Sequence, residues 1–364
     1  MQVSKKPLIM VALIIGMSNS MIMQTMLSTS LPIISNEFSS SAYYSWVYSG
    51  YILASSVTIP IFGKICDRFG YRKNYLAGGI LFLAGTVWCA VSGSMLSLVF
   101  ARITMGIGAG IVVPATYGII DSLYSKEQLR RIFGVLAVVQ IVSNGLGGII
   151  GGFFSSSYSW RMGVWLLVPL EIIGAILIWK LLPSSLCGTE QSKIKTANAI
   201  LLTIAVLMLM LGIEQLGHAL IAVLLFVAGL AMAVAFWLLE RRSGGNLLPD
   251  EFRRNPLLKN LSIQVFLMGA LMNLCLVYIP GRLQTTGHLS SQDSSTILLL
   301  YVVAMGIGSI ASGIIKASGK AMLGIGWAFL LLGGGTFFLP FHFHIVLGTS
   351  SVLHRFCSGL VAEC

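Results

Sequence analysis

Two ionisable side chains stand inside long apolar stretches of this sequence, and their chemistry frames the question of function. Glu171 lies about ten residues into one such stretch and Arg102 about six residues into another. An ionisable group near the centre of a bilayer carries a penalty of roughly 2.5–3.5 kcal/mol on insertion scales, so each needs a use or a partner. Hydrocarbon disfavours the charged form of a carboxyl, which suits Glu171 to take up and release a proton; a protonated structural acid is the alternative. Arg102 reads either as a fixed cation facing a cavity or as an arginine snorkelling to the outer interface. Asn19, Gln24, Gln140, Ser143, Asn144 and Asn273 are further polar positions in apolar stretches. They could line a cavity or hydrogen-bond between helices.

Charge is densest in Gly63–Lys73, where Lys64, Asp67, Arg68, Arg72 and Lys73 sit between the apolar runs Tyr48–Phe62 and Tyr75–Val91. The segment reads as a tight turn, with Gly63 and Gly70 free to take the positive φ that side chains resist. Asp67 is one acid among four bases, so a specific partner is expected for it. His342 and His344 alternate near the end of an apolar run, but two histidines without a third ligand do not make a metal site. Six cysteines are scattered singly, without a paired spacing. No nucleophile triad, phosphate loop or zinc-protease helix is recognisable. No enzyme, cofactor or metal is expected.

The elements that must position these residues are membrane helices. Hydrophobic residues make up 56% of the 364 and charged residues 10%, against roughly 25% charged in a soluble domain. Mean hydropathy is +0.89. Apolar runs long enough to cross a hydrocarbon core of about 30 Å recur along the chain. They predict an all-α bundle of about 11 spans, near 8–31, 46–62, 75–93, 96–120, 132–154, 162–182, 197–214, 219–239, 258–280, 296–316 and 321–340. Alternate gaps collect all but four of the 23 Lys and Arg, the exceptions being Arg102, Arg161, Arg282 and Arg355. That bias predicts a cytoplasmic N-terminus and places Gly63–Lys73 on the same side. The net charge of +11 therefore belongs to membrane topology, and no nucleic-acid partner is expected. Polar gaps at Pro183–Ala197 and Glu240–Lys259 divide the chain into a six-helix block (1–182), linkers with a helical pair (183–257) and a further partial bundle (258–364).

The pattern Gly63, Asp67, Arg68, Gly70, Arg72 and Lys73 resembles G-x-x-x-D-R-x-G-R-[RK], the loop between the second and third spans of the major facilitator superfamily. Tyr71 is an extra feature here. The helical pair between the halves resembles the fourteen-span drug:proton antiporter branch. Arg102-Ile-Thr-Met-Gly106-Ile-Gly108-Ala-Gly110 is similar to R-x-x-Q-G-x-G-A-[AG] of the fourth span. Gly147, Gly148, Gly151 and Gly152 are similar to G-P-x-x-G-G of the fifth. Trp160, Arg161 and Pro169 match the start of the sixth span, and Ile279–Gln284 resembles the P-x-x-L-Q segment that ends the first span of the second half. A faint echo of the loop recurs as Gly313, Gly319 and Lys320. The resemblance implies a latch role for Asp67, which would engage cationic or helix N-terminal partners in one state of the cycle. It implies proton coupling at Arg102 and close helix packing at the glycines.

The sequence also departs from the family. Met105 replaces the fourth-span Gln, Gly148 the fifth-span Pro, Met23 the first-span acid and Ser28 the first-span Asn. Glu171 is the natural substitute for the missing acid. After Pro340 the family pattern needs three more spans, whereas His354 and Arg355 interrupt the remaining apolar run, so a chain cut short is expected. The implied function is a proton-driven transporter exporting drugs or amphipathic small molecules, working as a monomer in the cell membrane. A truncated, transport-inactive relative is the alternative.

Overall fold

The computed structural model describes residues 6–40, 43–183, 196–215, 219–242, 255–267 and 269–270. The chain divides into two compact units; residues 6–242 belong to the first and 255–270 to the second. Among the described residues the first unit is built of helices alone: α1 (Lys6–Glu37), α2 (Tyr44–Phe69), α3 (Tyr71–Val91), α4 (Met95–Leu123), α5 (Lys126–Ser157), α6 (Trp160–Leu181), α7 (Thr196–Glu214) and α8 (Ala219–Arg242). In the second unit residues 256–267 are helical. Among the described residues seven helices are long and apolar enough to cross a membrane, and α7 adds a shorter apolar stretch, Ile200–Gly212. The expected spans at 296–316 and 321–340, the segment Ile279–Gln284, Asn273, the echo at 313–320, the histidines and the C-terminal run lie outside the described residues.

Several boundaries differ from the sequence reading, and α1, expected to end at 31, runs on through Pro32 to Glu37. The turn expected over 63–73 is largely helix: α2 runs through Gly63 to Phe69, and the chain reverses only at Gly70, whose φ is 95°. Gly63 therefore makes no turn. Cys66, fully buried in this stretch, anchors the added turns to the core. Lys126, Arg130 and Arg131, expected before the fifth span, lie in the first two turns of α5. That helix starts early because the Gln128 side chain accepts the Ser125 N–H at 3.1 Å, satisfying a free donor at the helix start. Glu240, read as linker, ends buried on α8, where it accepts a hydrogen bond from Asn198 of α7.

The six long helices pack as two equivalent triplets. Helix α4 lies against α2 and α3, α1 lies against α5 and α6, and α3 meets α6. Exchanging α1–α3 with α4–α6 maps one arrangement onto the other, as expected of repeats nested within a transporter half. Helices α7 and α8 pair with each other, and α7 touches α2. Hydrocarbon gives apolar side chains no reason to prefer the interior, so contact here depends on shape and hydrogen bonds. The Arg102–Gly110 run supplies the shape. A methyl group at Gly106 would lie 2.5 Å from Tyr51 O of α2, and one at Gly108 would lie 2.5 Å from Phe82 N of α3.

Candidate functional site

Arg102 is built into the α2–α4 contact. Helix α4 begins at Met95 after the Ser94 hydroxyl accepts the Ser97 N–H at 3.2 Å, which puts Arg102 two turns in. Gly106, one turn further, draws α2 close enough for Val47 and Tyr51 to reach the arginine. Arg102 Nε donates to Val47 O at 3.0 Å, and its guanidinium carbon lies 4.5 Å from the centre of the Tyr51 ring. The side chain is 1% exposed and Nη1 and Nη2 have no hydrogen-bond partner. It points into the bundle and does not snorkel. Leaving a buried donor unsatisfied costs about 1–3 kcal/mol, more for a charged group.

Gln24 and Glu171 are each held by a polar contact between helices. Gln24 of α1 donates to the Tyr48 hydroxyl of α2 at 3.1 Å. Glu171, on α6, is 6% exposed and accepts from Asn19 Nδ2 of α1 at 2.8 Å. The same Asn19 nitrogen donates to Leu167 O at 3.2 Å. Ser20, beside Asn19, approaches the phenol of Tyr51, the ring that Arg102 stands against. Thus α1 carries polar groups toward the acid on one side and toward the arginine's tyrosine on the other. Ser143 and Asn144 are also buried, on α5.

Gly147, Gly148, Gly151 and Gly152 are all buried. Gly147 and Gly151, one turn apart, face α1: a methyl group at Gly147 would lie 2.9 Å from Ile22 Cα and one at Gly151 2.5 Å from Met26 O. Met105, at the position of the family's Gln, is fully buried against α3, where a methyl on Gly85 would meet its Cγ at 2.6 Å. Met23, in place of the first-span acid, is buried in the core with Met26 and Leu27.

At the opposite end of α2, Asp67 Oδ1 accepts from the Tyr71 hydroxyl at 2.7 Å. The Tyr71 ring packs against Gly118 of α4, where a methyl group would strike it. Tyr71 thus holds the acid to α4. Arg72 donates to Trp179 O in the last turn of α6, a favourable place for a cation. Arg68 is exposed, 5.4 Å from the Phe69 ring centre, and Lys73 is exposed. Lys6 makes the matching contact at the end of α4, donating to Leu123 O at 2.7 Å.

Sequence reasoning missed a knot at the other end of the bundle. Glu37, the sole carboxylate before Asp67, meets Arg161 Nη1 at 2.6 Å and accepts from Trp160 Nε1 at 2.7 Å. Arg161 also donates to Ser92 O at 2.9 Å, so α1, α3 and α6 are tied together. The signal was available: a lone acid and a lone base flank apolar spans on the side that the other bases avoid. Among the described residues no group of three His, Cys, Asp or Glu could hold a metal.

A model of the Major Facilitator Superfamily matches residues 12–362. The chain is 27% identical over 313 residues to multidrug resistance protein 3 of Bacillus subtilis, covering 85% of this chain and 61% of that protein. It is 27% identical to the multidrug transporter protein MdtP of the same organism, covering 85% and 58%. It is 30% identical to the uncharacterized MFS-type transporter EfpA of Mycobacterium tuberculosis, covering 90% and 64%. The chain therefore spans about 60% of the length of these relatives. Among solved structures it is similar to the proton:xylose symporter XylE, with a TM-score of 0.59, 14% identity, and coverage of 86% of this chain and 70% of that one.

Proposed function

Because the chain belongs to the Major Facilitator Superfamily, a family of multi-pass membrane transporters, we propose that it serves as a secondary transporter exporting amphipathic small molecules, drugs among them, in exchange for protons. On this reading it works as a monomer in the cell membrane, its N-terminus and the Asp67 motif face the cytoplasm, and 1–182 forms one of the two rocking halves, 183–257 the inserted pair and 258–364 the partner half. Drug export is suggested by what the Bacillus relatives are called.

One observation carries the reading: the buried Arg102 guanidinium with two donors unmet. A group held at such expense belongs where a ligand or water satisfies it in another state. A ligand shifts a conformational equilibrium only by its differential affinity for the two states, and two unmet donors supply such a difference. Asp67 and Tyr71 would serve the same cycle as a latch that is closed in one state.

Expression of the chain in a bacterium lacking its own efflux pumps tests this. Ethidium retention should fall below that of cells with an empty vector, the difference should vanish when the proton gradient is collapsed, and Arg102→Ala should abolish it. Retention equal to the vector control refutes the reading.

A further inference from the structure

We propose that Glu171 and Asn19 form a proton-binding site between α6 and α1, in which Glu171 carries the proton and Asn19 is a positioning residue. The proposal deepens the transport reading, on which it rests for its use, by assigning the proton to a place in this chain.

The buried contact between Asn19 and Glu171 is short of donors. Asn19 is 2% exposed and its Nδ2 serves two acceptors, Leu167 O at 3.2 Å and Glu171 Oε2 at 2.8 Å. Which way an amide points follows from its hydrogen bonds. Here both neighbours accept, so the nitrogen must face them and Oδ1 must face away. Asn19 Oδ1 is accordingly buried without a partner. The cluster holds a carboxyl, a backbone carbonyl and an orphaned amide oxygen against a single NH2 group. It is rich in acceptors and lies inside a membrane span.

No cation faces it to correct the balance. Helices α1, α3 and α5 pack against α6. From α1 the neighbours are Asn19 and Ser20, and the ionisable residues of that helix, Lys6 and Glu37, sit at its two ends. From α3 the titratable neighbour is the Tyr75 phenol, while Gly79 offers only backbone: a methyl there would lie 3.7 Å from Glu171 Oε1. Helix α5 has no ionisable residue after Arg131. Arg102 stands against the Tyr51 ring of α2, and among the described residues no ion pair joins it to the carboxyl.

Of the three acceptors only the carboxylate carries a charge, and the smallest group that neutralises it is a proton on Glu171. It arrives from water, forms one O–H bond on the carboxylate and leaves by the reverse step; no other bond changes.

Infrared difference spectra between acidic and alkaline buffer, taken on the full chain in lipid nanodiscs, read the site without any transport. The wild type should show a protonated-carboxyl C=O band that disappears on alkalinisation. Glu171→Gln should lose that band. Asn19→Ala removes the donor that favours the charged carboxylate, so the pH at which the band disappears should rise by about one unit, a tenfold gain in proton affinity. Asn19→Ala keeps the acid, so this shift decides the matter even if Glu171→Gln fails to fold. A band unchanged by Glu171→Gln, an unmoved midpoint in Asn19→Ala, or a cluster that answers to sodium ions and not to pH would overturn the proposal. A titrating band without ethidium export would instead leave the site standing and sink the transport reading.

Discussion

Arg102→Met should make the protein more stable and less active, and the opposite signs are the point. Methionine keeps the length of the side chain within the α2–α4 contact but removes every donor. Relieving Nη1 and Nη2 returns about 1–3 kcal/mol each. Against this, the Nε bond to Val47 O forfeits about 1.5–3 kcal/mol and the contact with the Tyr51 ring about 2 kcal/mol. These sums nearly cancel. The charge tips the balance, since an unmet donor on a charged group costs more than the neutral range just used. Cys66 and Cys89 are buried free thiols, so with Cys187, Cys275, Cys357 and Cys364 replaced by serine, a thiol-reactive dye reports their exposure on unfolding in detergent. The melting curve of Arg102→Met should move up, that of Arg102→Lys should not, and Arg102→Met should export no ethidium. Leu98→Ala, at a fully buried site on the same helix, sets the scale of a core loss at about 2–5 kcal/mol. If Arg102→Met falls as far as Leu98→Ala, the guanidinium is a structural anchor and the reasoning fails.

Other sites give independent tests. Gly151→Val should lower the melt well below wild type because its side chain meets Met26 O, whereas Gly134→Ala, with nothing within 4 Å, should gain about 0.5–1 kcal/mol from helix propensity; equal effects would refute the α1–α5 packing. Asp67→Asn should insert normally and slow ethidium export by changing the balance of states, with Tyr71→Phe producing a similar change; full export in both would remove the latch. A double-mutant cycle on Glu37→Gln and Arg161→Ala should return no more than about 1 kcal/mol, since the pair is 28% and 41% exposed at its side chains. A coupling several times larger would show that the knot is drier than it looks.

The sequence alone determined that the chain is a multi-pass membrane protein and where its described helices fall. Hydropathy and the alternation of Lys and Arg located each of the eight helices in the first unit to within a few residues, apart from the ends of α1, α2 and α5. Gly147 and Gly151 were legible as packing sites because only small residues let helices approach without a hydrophobic drive. The direction of each side chain was not legible. In lipid both faces of a span are apolar, so α4 shows no polar stripe to mark its interior and Arg102 could have pointed either way. Its inward course is set by Gly106, which brings Val47 and Tyr51 within reach. The turn expected at Gly63 failed for a related reason: charge density marks the membrane edge but not the place where a helix ends. Asp67 proved to answer a residue one turn away, while Glu171 answers Asn19 across 152 positions. Nothing local encodes that second pairing. It follows from the packing of α6 on α1, and only the tertiary structure decides which polar groups share a buried space and which of their atoms are left without a partner.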